Sequence, residues 1–101
     1  MIVIAGTARV RPEHRSTALA AGSDMARRSA AEPGCTAYRI AVDIDDDCVI
    51  HLFEHWVDEH ALQAHFATAH FAEFTAAIVD AIDGEPSFLR YSVDGVGPLF
   101  A

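Results

Sequence analysis

Six histidines in 101 residues put ionisable groups at many points along the chain, and two sit where they could act on a small molecule. His65 shares a predicted helix face with Leu62 and Phe66 and should point at a sheet, where an imidazole among apolar groups is suited to take a proton near neutral pH. His70 stands at the start of the next helix, one turn before Phe74, and can pair with His65 or touch a ligand; a capping role at the surface is the other reading. Glu54 and Trp56 lie two residues apart on one strand and so point to the same side. A carboxylate in that apolar strand demands a partner, and Arg39 on the adjoining strand is the one expected. Trp56 offers a flat wall for an aromatic ligand, or serves as plain core. Phe66, Phe71 and Phe74 complete an apolar lining that would exclude water.

Other spacings exclude chemistry. His51 and His55 share a strand face but lie about 13 Å apart along it, too far to grip one ion. His65 and His70 are separated by a helix break, and Cys35 and Cys48 form no zinc spacing with either, so no metal site is expected. No glycine-rich phosphate loop is present, which leaves no nucleotide, nicotinamide or flavin motif. The net charge of -8 repels nucleic acid and anionic membrane surfaces alike. No window reaches the length of a membrane span and no basic stretch precedes an apolar segment at the start, so a cytoplasmic protein with two reduced thiols is expected.

The elements that position these groups follow from periodicity. Ile2 to Arg11 alternates as a strand that Pro12 ends. A helix runs from there to about Ala31, with Leu19, Gly22, Met25, Ala26 and Ser29 at helical spacing and Pro33-Gly34 as its stop. Thr36 to Asp43 and Cys48 to Val57 read as a hairpin around Ile44 to Asp47. Asp58 caps a short helix from Glu59 to Phe66. Thr68 caps a second, in which Phe71, Phe74, Ile78 and Ile82 trace one stripe up to Gly84. A last strand runs from Glu85-Pro86 to about Asp94. The order predicts one α+β domain over residues 1–101, a ferredoxin-like β-α-β-β-α-β arrangement with helices on one face of an antiparallel sheet. The third strand is clean on neither side, and half of all residues are hydrophobic, so a homodimer that pairs two sheets is expected.

The stretches Glu32-Pro-Gly-Cys-Thr-Ala-Tyr38, Leu52-Phe-Glu-His-Trp56, Ala61-Leu-Gln-Ala-His65 and Ala69-His-Phe71 resemble the antibiotic biosynthesis monooxygenase family, including its quinol monooxygenase-like members, over nearly the whole chain. The resemblance implies a dimeric α+β barrel with a pocket between the helices and the sheet of each subunit. It implies oxygenation of a phenolic, hydroquinone-like or polycyclic aromatic by molecular oxygen without metal or flavin, with His65 and His70 as catalytic candidates. Trp56, Glu54, Phe66, Phe71, Phe74 and Tyr38 would contact the substrate. The family also holds haem-degrading enzymes and small-molecule isomerases. The early Asn expected of the former is absent here, where the chain reads Ala5-Gly6-Thr7. A non-catalytic dimeric binding or stress module is the reading from a different class.

Overall fold

A computed structural model describes residues 1–100. Strand β1 spans Ile2–Arg9, and Val10 adds a single bridge to Ile82. Pro12–His14 form one 3-10 turn, because proline fixes a turn-forming backbone but has no N–H to donate, and helix α1 then runs Arg15–Ala30. Strands β2 (Cys35–Val42) and β3 (Val49–Trp56) form the expected hairpin. Helices α2 (Glu59–Phe66) and α3 (Ala69–Ile78) follow, and β4 (Ser87–Ser92) closes the order. The four strands make one antiparallel sheet ordered β2-β3-β1-β4, the ferredoxin-like α+β arrangement read from the sequence.

Both predicted caps form. Asp58 accepts from the Ala61 amide at 2.8 Å and Thr68 from the Phe71 amide at 3.2 Å, so each helix start satisfies one of its free donors. Helix α3 stops at Ile78, six residues before Gly84. Ile82 therefore leaves the helical stripe and joins the sheet through its bridge to Val10.

Register decides which side chains meet. Ile2, Ile4, Gly6 and Ala8 stand opposite Trp56, Glu54, Leu52 and Ile50, and Tyr38 and Ile40 stand opposite Glu54 and Leu52. These residues face the helices. The core under α1 and α2 is Ile2, Met25, Tyr38, Trp56, Ala61 and Leu62. The reverse face of the sheet carries Phe53, Leu89 and Tyr91, each more than 40% exposed. The three helices cover one face, and none of the described elements buries the other to the same extent.

Candidate functional site

Glu32 ends the segment after α1, and Gly34 lets the chain turn sharply into β2. Its φ of 82° is in the left-handed region, and a Cβ there would lie 2.6 Å from that of Ala61. This close approach of the turn to α2 brings the Glu32 carboxylate under the end of α2 and the start of α3. Its Oε2 accepts from His65 Nδ1 at 2.7 Å and from His70 Nε2 at 2.8 Å. A carboxylate only accepts, so both ring nitrogens carry hydrogen, and the lone pair of a neutral His65 is left on Nε2. The helix break between His65 and His70, which in the sequence argued against their gripping one ion, is what turns both rings onto one oxygen.

His65 is 1% exposed and packed by aromatic rings. Trp56 lies 4.7 Å away between ring centres, Phe71 5.3 Å and Tyr38 5.7 Å. Glu54 is also buried, and its partner is Trp56, whose indole N–H donates to Oε1 at 2.9 Å. The expected pairing of Glu54 with Arg39 does not occur. Arg39 stands opposite Phe53 on the reverse face of the sheet and donates to the Tyr38 carbonyl, because strand alternation sends it the other way. Burial pushes the Glu54 carboxyl above its ordinary range, against the lowering effects of the indole hydrogen bond and of His65. Desolvation, followed by the charges of Glu32 and Glu54, lifts the Cys35 thiol to about 11, so it stays protonated and unreactive. Burial, then Glu54, raises the Tyr38 phenol as well, keeping it a neutral donor. Both cysteines are free.

Between the helices and the sheet lies an apolar cavity of about 110 Å³. Small residues open it: Ala8 on β1 and Ala18 and Gly22 on α1, where a Cβ on Gly22 would come 3.3 Å from Ile40. Of the candidates named from sequence, Tyr38 and Phe74 line this cavity, whereas His65, His70, Trp56, Glu54, Phe66 and Phe71 do not. Tyr38 is the one lining residue with a polar side chain, and its hydroxyl makes no hydrogen bond among the described residues. Phe66 is 45% exposed and stacks edgewise on Phe71 at 5.3 Å. The site thus has two parts, a hydrogen-bonded Glu32, His65 and His70 group and an apolar cavity, with Tyr38 touching both. Glu32 escaped the reading of chemistry-bearing residues because its partners are 33 and 38 positions away. Its place in the Glu-Pro-Gly stretch was the only signal.

The Glu32, His65 and His70 donor atoms all lie within 4.8 Å of one another, as do those of Asp46, Asp47 and Cys48. In the second group Asp46 is committed to Arg9 and to the Cys48 amide, as expected of a solvated turn.

The model of the antibiotic biosynthesis monooxygenase family matches residues 1–77. The Bacillus subtilis protein named "Putative monooxygenase YcnE" is 33% identical over 76 residues, 75% of this chain and 80% of that protein. The Synechocystis protein named "Uncharacterized protein sll1783" is 33% identical over 81 residues, 80% of this chain; the chain spans only 55% of that relative's length. Among solved structures, Rv0793 from Mycobacterium tuberculosis superposes with a TM-score of 0.86 at 22% identity, covering 95% of this chain and 98% of its own. PA3566 from Pseudomonas aeruginosa gives 0.84 at 22%, covering 93% and 94%. At that identity the two structures speak for the fold alone, but the family match extends through the Glu32, His65 and His70 segments. The chain belongs to the antibiotic biosynthesis monooxygenase family.

Proposed function

We propose that this chain is a monooxygenase that oxidises a small phenolic or hydroquinone-like aromatic with molecular oxygen, needs no metal or flavin, and works as a homodimer. The observation that carries this reading is the hydrogen bond from His65 Nδ1 to Glu32, which holds a buried imidazole with Nε2 available as a base. The apolar cavity supplies room for a ring, and the Tyr38 hydroxyl supplies one fixed polar contact for the ring's oxygen. In the proposed reaction the phenolic proton passes to His65, with Tyr38 between the cavity and the imidazole. The anion then gives electrons to oxygen. One oxygen atom enters the ring in place of a C–H hydrogen, that hydrogen and the phenolic one leave with the other oxygen atom as water, and the substrate, which supplies all four electrons, ends as a quinone. Catalytic hydrogen bonds often tighten only when substrate is present, so a hydrogen bond between the Tyr38 hydroxyl and His65 belongs to the bound state. The exposed Phe53, Leu89 and Tyr91 support pairing of two sheets through their reverse faces.

Oxygen uptake by metal-stripped protein, with a panel of one-ring and fused-ring phenols, tests the reading. Turnover should fall at least a hundredfold in folded His65→Gln and at least tenfold in Tyr38→Phe, the usual range for loss of acid–base assistance. Turnover unchanged by His65→Gln rules out the base. The separation of His65 from the cavity wall favours a second reading, a carrier of small apolar molecules with incidental histidines. Binding without oxygen uptake, and flat from pH 5 to 8, would establish that one.

A further inference from the structure

Glu32, His65 and His70 come from three separate segments, yet one carboxylate oxygen lies within 2.8 Å of a nitrogen of each ring. Two imidazoles and a carboxylate are the donor set of many divalent transition-metal sites, and they leave further coordination positions for water. Ligands about 2.0–2.1 Å from an ion stand about 2.9 Å apart at right angles and about 3.4 Å apart at a tetrahedral angle. Each oxygen–nitrogen pair would need to spread by about 0.1–0.7 Å to admit one, and the donor atoms of all three residues lie within 4.8 Å of one another. The carboxylate side chain is 10% exposed and the His70 side chain 16%, so the group is partly desolvated but reachable. Glu32, though neither His65 nor His70, also lines a shallow depression with Asp58 and His60, and the chain's charge of -8 draws cations toward it.

We propose that Glu32, His65 and His70 form a binding site for one divalent transition-metal ion, of which Zn²⁺ is the best fit, and that the ion switches off the base. A neutral imidazole has one N–H proton. With an ion on His65 Nδ1, that proton resides on Nε2, the nitrogen Glu32 does not hold, so the ring has no lone pair left to accept the substrate's proton. No electrons move and no bond to substrate is made; the ion replaces the two hydrogen bonds to Glu32. Binding stands on geometry alone, whereas the inhibition rests on the function proposed above.

Untagged, chelator-treated protein titrated with Co²⁺ as a visible-absorbing probe, and with Zn²⁺ by calorimetry, separates the two claims because neither titration needs substrate. The expected result is one ion per chain, with Zn²⁺ displacing Co²⁺. Affinity should weaken tenfold or more in both Glu32→Gln and the partly exposed His70→Gln, each checked for native circular dichroism, and remain within threefold in His60→Ala. The ring nitrogens of His65 and His70 should shift together in a histidine-labelled NMR spectrum with Zn²⁺. No uptake of either ion up to 1 mM overturns the site, and so does uptake that both substitutions leave unchanged. If oxygen uptake is established, saturating Zn²⁺ should suppress it at least tenfold; undiminished turnover with the ion bound overturns the switch.

Discussion

Replacing Trp56 by Phe removes the indole N–H while keeping an aromatic ring at a fully buried position, so it tests whether Glu54 depends on that donor. Trp56 is 0% exposed and Glu54 6%, and the 2.9 Å bond joining them is the only hydrogen bond found for the Glu54 carboxylate among the described residues. A hydrogen bond to a charged group is worth about 1.5–3 kcal/mol. The smaller ring and the void it leaves add about 1 kcal/mol. The substitution should therefore destabilise the chain by about 2.5–4 kcal/mol, which for a domain of this length lowers the melting temperature by about 10–25 °C. Urea unfolding of wild type, Trp56→Phe, Glu54→Leu and the double variant closes a cycle that isolates the pair. The double variant should lose about 1.5 kcal/mol or more less than the sum of the singles, because a phenyl ring beside leucine leaves no buried charge without a partner. A coupling under about 0.5 kcal/mol refutes the argument, since the indole would then be acting only as apolar bulk.

Burial raises the Glu54 carboxyl above its ordinary value of 4.5, so the native state holds its proton to higher pH than the unfolded chain does. The carboxylate thus costs stability as pH rises from about 4.5 through the native value. The stability of Glu54→Gln relative to wild type should accordingly climb between pH 4 and 7 in chemical unfolding, and a flat or falling difference contradicts the burial effect. Tyr38→Phe should change stability by less than about 1 kcal/mol, since the hydroxyl has no hydrogen-bond partner among the described residues, while reducing turnover or ligand affinity tenfold; a large loss in the melting temperature would reveal a structural role instead. Gly34→Ala forces a side chain into a left-handed backbone and against Ala61, and should cost about 1–3 kcal/mol in urea unfolding and disturb the His65 and His70 NMR signals together. Thr68→Ala removes the cap of α3 and should cost about 1 kcal/mol by the same measurement, with no more effect than that if His70 is held chiefly by Glu32.

Much of the architecture was legible because it is written in short-range patterns. Alternation in Ile2–Arg9 and Val49–Trp56, the stops at Pro12 and Pro33-Gly34, and the capping side chains Asp58 and Thr68 act within a few residues of where they stand. The span of α2 and the split strand order follow from them, as does the sharing of one strand face by Glu54 and Trp56. The length of α3 was overestimated because Ile82 continues a helical spacing while the backbone has already turned to bridge Val10. Tertiary packing overrode the local pattern there.

What the sequence determined by itself is therefore the set of elements, their order, the family, and the identity of His65 and His70 as chemically capable groups. Only the tertiary structure decided what those groups do to one another. It brought Glu32 under both imidazoles, gave Glu54 an indole rather than a guanidinium, and put the cavity beside Tyr38 and Phe74 instead of against His65. The physical reason is distance along the chain. A cap or a strand face depends on neighbours two to four residues away, whereas a carboxylate that meets rings 33 and 38 residues later depends on how the turn at Gly34 packs on α2, and on which way every intervening strand faces.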